Sequence, residues 1–120
     1  LTLKQAMLCS YTRGSVVANN VPNGKMAAVG LSWEEANKRC PENVYVACDN
    51  SIDSVTISGL EEDMIKFMEK LKSENVFVHE VMGHKFKPFH TKFIKSASDK
   101  IIEKLRNVIP KPNKRSSKWL

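Results

Sequence analysis

The chain has 120 residues and a formal net charge of +6, from 19 Lys and Arg against 13 Asp and Glu. That length suits one domain or a piece of one, and an apolar content of 42% is enough for a modest core. No apolar run approaches the roughly 20 residues needed to cross a bilayer. The first residues, with Lys4 and Gln5 and no small-residue cleavage site after them, do not make a secretory leader. The reading is a protein of the cytoplasm with no membrane partner. Leu1 at the start and Trp119-Leu120 at the end suggest a piece excised from a longer chain.

Leu3, Ala6, Met7, Ser10 and Gly14 recur at helical spacing and predict a helix over Thr2–Ala18. Asn19 to Gly24 is rich in turn formers. Met26–Leu31 is a short apolar run and reads as a buried strand. Ser32-Trp33-Glu34-Glu35 has the pattern of a capping box, so a short helix follows, ending near Cys40 because Pro41 disfavours helical geometry before it. Val44–Cys48 and Ser54–Ser58 read as strands joined by a turn over Asp49–Asp53. Leu60, Met64, Phe67, Met68 and Leu71 form an apolar stripe and predict a helix over Glu61–Glu74. Val76–Met82 is β-branched and aromatic, a fourth strand, and Gly83–Pro88 is a loop. Phe93, Ala97, Ile101, Leu105 and Val108 predict a last helix over His90–Ile109, ended by Pro110 and Pro112.

The middle of the chain therefore reads β-α-β-β-α-β. The expected fold class is α+β, a ferredoxin-like unit of four strands with two helices on one face, flanked by an N-terminal and a C-terminal helix. Many activities share that order, so it assigns none. An RNA-recognition module would need aromatic rings on the central strands to stack bases. Ser54-Val55-Thr56-Ile57-Ser58 offers none, and Met26-Ala27-Ala28-Val29 offers none either. An RNA-binding module and an interaction domain without chemistry are the alternatives from other classes; no nucleic-acid partner is expected.

Cys9, Cys40 and Cys48 are odd in number and form no C-x-x-C pair, so they read as reduced thiols. His79, His84 and His90 are spaced by five and six residues, which fits neither a helix face nor a zinc pattern, and no metal site is expected.

Several stretches together resemble one family. Gly24-Lys25-Met26-Ala27-Ala28-Val29-Gly30-Leu31-Ser32-Trp33-Glu34-Glu35 is similar to the start of the small subdomain of animal fatty acid synthase acyltransferases. Cys48-Asp49-Asn50-Ser51 followed by Val55-Thr56-Ile57-Ser58-Gly59 resembles that family's turn and strand. Tyr11-Thr12-Arg13-Gly14 and Phe89-His90 resemble two of its site motifs, and Pro112 to Leu120 is similar to the matching region. Polyketide synthase acyltransferases are the near alternative.

The resemblance implies a ferredoxin-like small subdomain at residues 23–85, inserted into an α/β-hydrolase-like large subdomain. Residues 1–22 would be a helix of that large part, and 86–120 the catalytic-histidine loop, the returning helix and the start of the next segment. It also implies transfer of malonyl and acetyl groups from coenzyme A thioesters to the phosphopantetheine thiol of an acyl carrier protein, through an acyl-serine. No G-x-S-x-G frame for that serine occurs here, so it would lie upstream and the piece alone would be inactive. His90 would be the general base, Arg13 would bind the malonyl carboxylate, and Phe89 would fill the space a branching methyl needs. Pro88 and Thr91 depart from the family's residues beside Phe89-His90, which leaves substrate breadth open. Asn50 and Ser51 would line the pocket or, as the turn chemistry favours, serve the turn. No cofactor is expected in this region. The large subdomain in cis and the carrier protein are the expected partners, the parent is expected to be a homodimer, and Lys85, Lys87, Lys92 and Lys95 are candidates for meeting coenzyme A phosphates or the acidic carrier. The apolar stripes of the two flanking helices are expected to face the large subdomain.

Overall fold

The structure, a computed structural model, describes residues 1–81, 86–111, 114 and 117. In chain order the elements are α1 (Leu3–Asn20), β1 (Gly24–Val29), α2 (Trp33–Arg39), β2 (Val44–Ser51), β3 (Ser54–Leu60), α3 (Glu61–Ser73), β4 (Val78–Glu80), a 3-10 turn over Lys92–Ile94, and α4 (Lys95–Val108). The strands form one antiparallel sheet in the order β2-β3-β1-β4. The β-α-β-β-α-β order expected from the sequence is present, with β1 and β3 at the centre.

Alternation of side chains along the strands gives the sheet two faces. Ala27, Val29, Val44, Val55 and Ile57 point to one face and pack with Ala36 of α2 and Met64, Phe67, Met68 and Leu71 of α3. All are buried, and several are fully so. Both helices therefore lie on that face, and burial of their stripes is the main stabilising contribution here. Three acidic residues in the first turn of α3 and two lysines in its last complement the helix dipole. Ser32 caps α2 as expected, accepting from the Glu35 amide at 3.3 Å. Glu35 does not complete the box; its carboxylate pairs with Arg39 at 3.2 Å instead.

The element ends differ from the sequence expectations where cross-strand pairing decides them. β1 starts at Gly24 rather than Met26, because Gly24 and Lys25 pair with Leu60 and Gly59. β2 runs on to Ser51, which pairs with Ser54, while Asn50 sits at the second of two irregularities, and the reversal narrows to Ile52 and Asp53. β4 is limited to Val78–Glu80, with the Val81 amide donating to Met26 at 2.9 Å. Met82 to Lys85, and with them half of the expected loop, lie outside the described residues, as does Pro112.

The flanking helices pack on each other. Val16, Val17 and Val21 of α1 and its end form a second cluster with Ala97, and Ile94 and Ile101 lie against it. The Gln5 side chain reaches the Val108 carbonyl at 3.4 Å, so the pair is antiparallel. This corrects the expectation that both apolar stripes are left for another subdomain: the α4 stripe is used against α1. On α1 the buried seam runs through Val16 and Val17, whereas Leu3, Met7 and Tyr11 are 79%, 66% and 74% exposed. α1 is also capped by a box that the apolar pattern did not reveal, Thr2 with Gln5.

The second face of the sheet is covered at one end only. Met26 and Ser58, paired across β1 and β3, are buried there, and Tyr45 sits beside Ser58. Phe93 meets the Tyr45 ring edge-on at 6.1 Å between centroids. Pro88 is buried against Gly24: a Cβ on Gly24 would fall 2.7 Å from Pro88 Cβ and Cδ and 2.5 Å from the Gly59 carbonyl oxygen. Gly24 is thus a point of close approach for two backbones and a ring.

Two measurements test this packing. Gly24→Ala should lower stability in urea by about 1–3 kcal/mol, the usual cost of overpacking, with amide shifts changing most at residues 86–91; unchanged stability would refute the close approach. Burial raises the Cys40 thiol from 9.0 to about 11. The folded state therefore holds that proton more tightly than the unfolded chain, so this stabilisation is whole below pH 9.0 and lost as pH rises to about 11. The fall in urea stability over that range should be smaller in Cys40→Ala.

Candidate active site

His90 sits in a turn between the end of the loop and the 3-10 turn, one residue before Thr91, which caps that turn. The predicted helix over His90–Ile109 therefore starts later than expected, since α4 proper begins at Lys95. The reason is the backbone at His90, which has φ 60. That left-handed conformation is unusual for a non-glycine residue and is held only where the surroundings enforce it. The enforcing contacts are local. The Phe89 amide donates to the Lys87 carbonyl at 2.8 Å, and the Thr91 hydroxyl donates to the Pro88 carbonyl at 2.6 Å. The Gly24 amide donates to the Phe86 carbonyl at 3.0 Å, tying the segment to β1. The result is an exposed imidazole on a rigid turn.

Phe89 is 40% exposed, its ring edge-on to Phe86 at 6.3 Å. It is therefore neither a core side chain nor fully free. Arg13 is exposed on α1, one residue from the half-buried Thr12. Among the described residues neither Arg13 nor His90 has a side-chain hydrogen bond or ion pair, and both keep their donors free. They stand on two elements joined through α1–α4 packing and through the α1–β1 connection.

Asn50 and Ser51 are exposed. Asn50 Nδ2 donates to Thr56 Oγ1 at 2.9 Å, and Ser51 Oγ donates to Asp53 at 2.7 Å. Both contacts stay within the β2–β3 hairpin. Asn50 bonds a cross-strand hydroxyl and not its own backbone, because it stands in a strand.

The basic candidates divide. Lys92 and Lys95 are exposed, and the Lys92 ammonium lies 5.7 Å from the Tyr45 ring centroid. Lys87 is 9% exposed, so it is not a surface cation and does not belong to that patch. Its ammonium donates to the Val21 carbonyl at 2.6 Å and to Asn23 Oδ1 at 3.2 Å. Nothing in the residue order marks this, since Lys87 stands two residues after Lys85 in a basic stretch. Lys85 and His84 lie outside the described residues.

A cavity of about 190 Å³ adjoins the segment, lined among others by Asn23, Lys25, Glu61, Glu80 and Phe86. Lys25 donates to Glu80, with Glu61 at 4.0 Å. The Glu80 hydrogen bond, against some desolvation and with help from both carboxylate charges, raises the Lys25 ammonium above its ordinary value. Its charge is already satisfied, so this cavity offers no anion site. Among the described residues no group of three or more His, Cys, Asp and Glu side chains could hold a metal, and no helix is long and apolar enough to cross a membrane. The central strands place Met26, Ala28, Thr56 and Ser58 on the second face, the first and last of them buried, and offer no ring there for stacking bases.

Comparison with known proteins is consistent across sequence and structure. A highly reducing polyketide synthase of Aspergillus fumigatus is 42% identical over 66 residues, which is 55% of this chain and 3% of that protein. Squalestatin tetraketide synthase of a Phoma species is 32% identical over 98% of this chain and 5% of its own length. Among solved structures, the loading acyltransferase of the avermectin polyketide synthase superposes with a TM-score of 0.75 at 18% identity, over 88% of this chain and 35% of that one. The acyltransferase domain of PpsC of Mycobacterium tuberculosis gives 0.70 at 21% identity, over 92% and 32%. The chain thus spans a small part of these synthases and about a third of these solved chains. The profile of the family described as "Acyl transferase domain" matches residues 1–120. This chain belongs to the acyl transferase domain family.

Proposed function

We propose that the chain is the histidine-bearing part of an acyltransferase domain that loads malonyl or acetyl groups onto an acyl carrier protein within a multidomain synthase of the cytoplasm. The observation that carries this reading is the turn at His90. It holds an exposed imidazole in a strained, doubly clamped conformation on a segment packed against β1.

In this reading β1 to β4 with α2 and α3 are a ferredoxin-like small subdomain, and α1 and α4 tie it to a larger one. The exposed Leu3, Met7 and Tyr11 of α1 meet that larger part. A serine from it supplies the nucleophile. Its hydroxyl attacks the thioester carbonyl of malonyl-coenzyme A while His90 takes the proton. The C–S bond breaks, the proton passes to the departing thiolate, and coenzyme A leaves as the thiol. The phosphopantetheine thiol of the carrier then attacks the acyl-serine, giving its proton to His90, which returns it to the serine oxygen. An imidazole, which can both take up and give back a proton, suits both directions of transfer. Arg13 holds the malonyl carboxylate through two parallel hydrogen bonds. Phe89 limits the room beside the α-carbon and so disfavours a methyl branch. Asn50 and Ser51 serve the hairpin. The parent is a homodimer.

The relatives named above favour a synthase of polyketide type over the animal fatty acid synthase implied by the motifs. The Cys48-Asp49-Asn50-Ser51 and Val55-Thr56-Ile57-Ser58-Gly59 stretches keep the fatty acid synthase as a second reading. The two differ in the final product and not in the loading chemistry, so product analysis of the whole synthase separates them.

The test uses the longer protein that contains this chain, incubated with malonyl-coenzyme A and followed by intact mass. The wild type should gain one malonyl group. His90→Ala should acylate about 10²–10⁴-fold more slowly, the usual contribution of a general base. Arg13→Ala should lose preference for malonyl over acetyl by about tenfold or more. Equal rates in all three, or turnover by residues 1–120 alone, would sink the assignment.

A further inference from the structure

We propose that Lys87 is a positioning residue for His90, a buried latch that ties the site turn to the end of α1. The inference rests on the reading of His90 given above.

Lysine is almost never fully buried unless it is paired. Lys87 is 9% exposed, and its recorded partners are neutral: the Val21 carbonyl and the Asn23 side-chain oxygen. Val21 is the C-cap of the 18-residue helix α1. Its extended backbone, φ −107 and ψ 134, turns its carbonyl out of the helix, so that oxygen is left for a donor outside it. The ammonium is therefore held by two oxygens just past the end of α1, contacts that an apolar side chain of the same shape cannot replace.

The latch reaches His90 because little between them can flex. Pro88 has a fixed φ and is wedged against Gly24. The Phe89 amide is bonded back to the Lys87 carbonyl, and Thr91 to the Pro88 carbonyl. A displacement of the Lys87 backbone is passed on through this rigid turn. His90 sits at φ 60 at its far end, in a conformation it leaves when the clamps are released. Lys87 also joins the two elements that carry the proposed site residues, α1 with Arg13 and the turn with His90. Misplacing a catalytic group by about 1 Å costs up to about 10²-fold in rate. Binding of the malonyl carboxylate by Arg13 would be spared.

The experiment measures single-turnover acylation of the longer acyltransferase by malonyl-coenzyme A, with Lys87→Met made in the wild type and in His90→Ala. Lys87→Met should slow saturated acylation by about tenfold or more, with the half-saturating concentration within about twofold of wild type. In the His90→Ala background the same substitution should change the rate by less than about twofold, since the residue it positions is gone. Equal loss in both backgrounds means general damage and overturns the proposal, as does full activity of Lys87→Met beside a slow His90→Ala. Failure of the wild type to take up malonyl overturns the acyltransferase reading itself, and this proposal with it. If Lys87→Met does not fold, Asn23→Ala decides in the same two backgrounds. A loss of about threefold only where His90 is present supports the latch; no loss, or equal loss, overturns it.

Discussion

The close approach at Gly24 governs how the rest of the molecule is arranged. A strand, the Gly59 carbonyl and the Pro88 ring meet where no Cβ fits. That contact fixes the segment after β4 over the end of the sheet's second face. There it buries Met26 and Ser58 and brings Phe93 to Tyr45. It also sets where α4 starts, and so the line along which α4 packs on α1. Ser58 shows the cost of the closure. Its hydroxyl is buried and, among the described residues, is the one buried side-chain polar atom with no partner. A small side chain at that position lets the segment lie flat on the sheet, at the expense of an unmade hydrogen bond.

The two halves of the chain differ in how they hold together. The sheet with α2 and α3 has a closed core, in which Ala27, Val55, Ile57, Met64 and Leu71 are inaccessible to solvent. The helical pair has only Val16, Val17, Val21 and Ala97 buried. Surface-to-volume arguments make so small a cluster weak on its own. Contacts that cross between the halves therefore matter more than their number suggests. The Lys87 contacts and the Phe86–Gly24 hydrogen bond converge on the junction of α1 and β1.

What the sequence made legible follows from the range of each interaction. The α3 stripe, the capping serine of α2 and the β-α-β-β-α-β order are local or periodic signals, and they appear where expected. The turn chemistry of Asp49, Asn50 and Ser51 predicts an end to β2 three residues early, yet cross-strand pairing with β3 carries the strand on to Ser51. The α4 stripe was recognised, but its partner is a helix more than seventy residues away in the chain, and periodicity does not name partners. His90 and Arg13 were singled out by motif likeness, and spacing alone would have passed over both. The left-handed backbone at His90 and the burial of Lys87 were invisible, because each depends on what the fold lays against it. A lysine among lysines carries no mark of being the one turned inward.

The shape of the chain bears on the same division. Its radius of gyration is 17.7 Å, and its extents are 53 × 33 × 22 Å. A self-contained domain of this length would be expected near 14 Å. The helical pair packs mainly on itself and leaves Leu3, Met7, Leu8 and Tyr11 exposed. An apolar helix face of that kind normally marks an interaction surface. The solved acyltransferases that superpose on this chain are about three times as long as the part it matches. In the function proposed above, α1 and α4 are the helices through which the chain enters and leaves a small subdomain, which agrees with a closed sheet core beside a half-covered helical pair. On that reading Lys87, bonded to Val21 and Asn23, lies at the crossing between the two, three residues from His90.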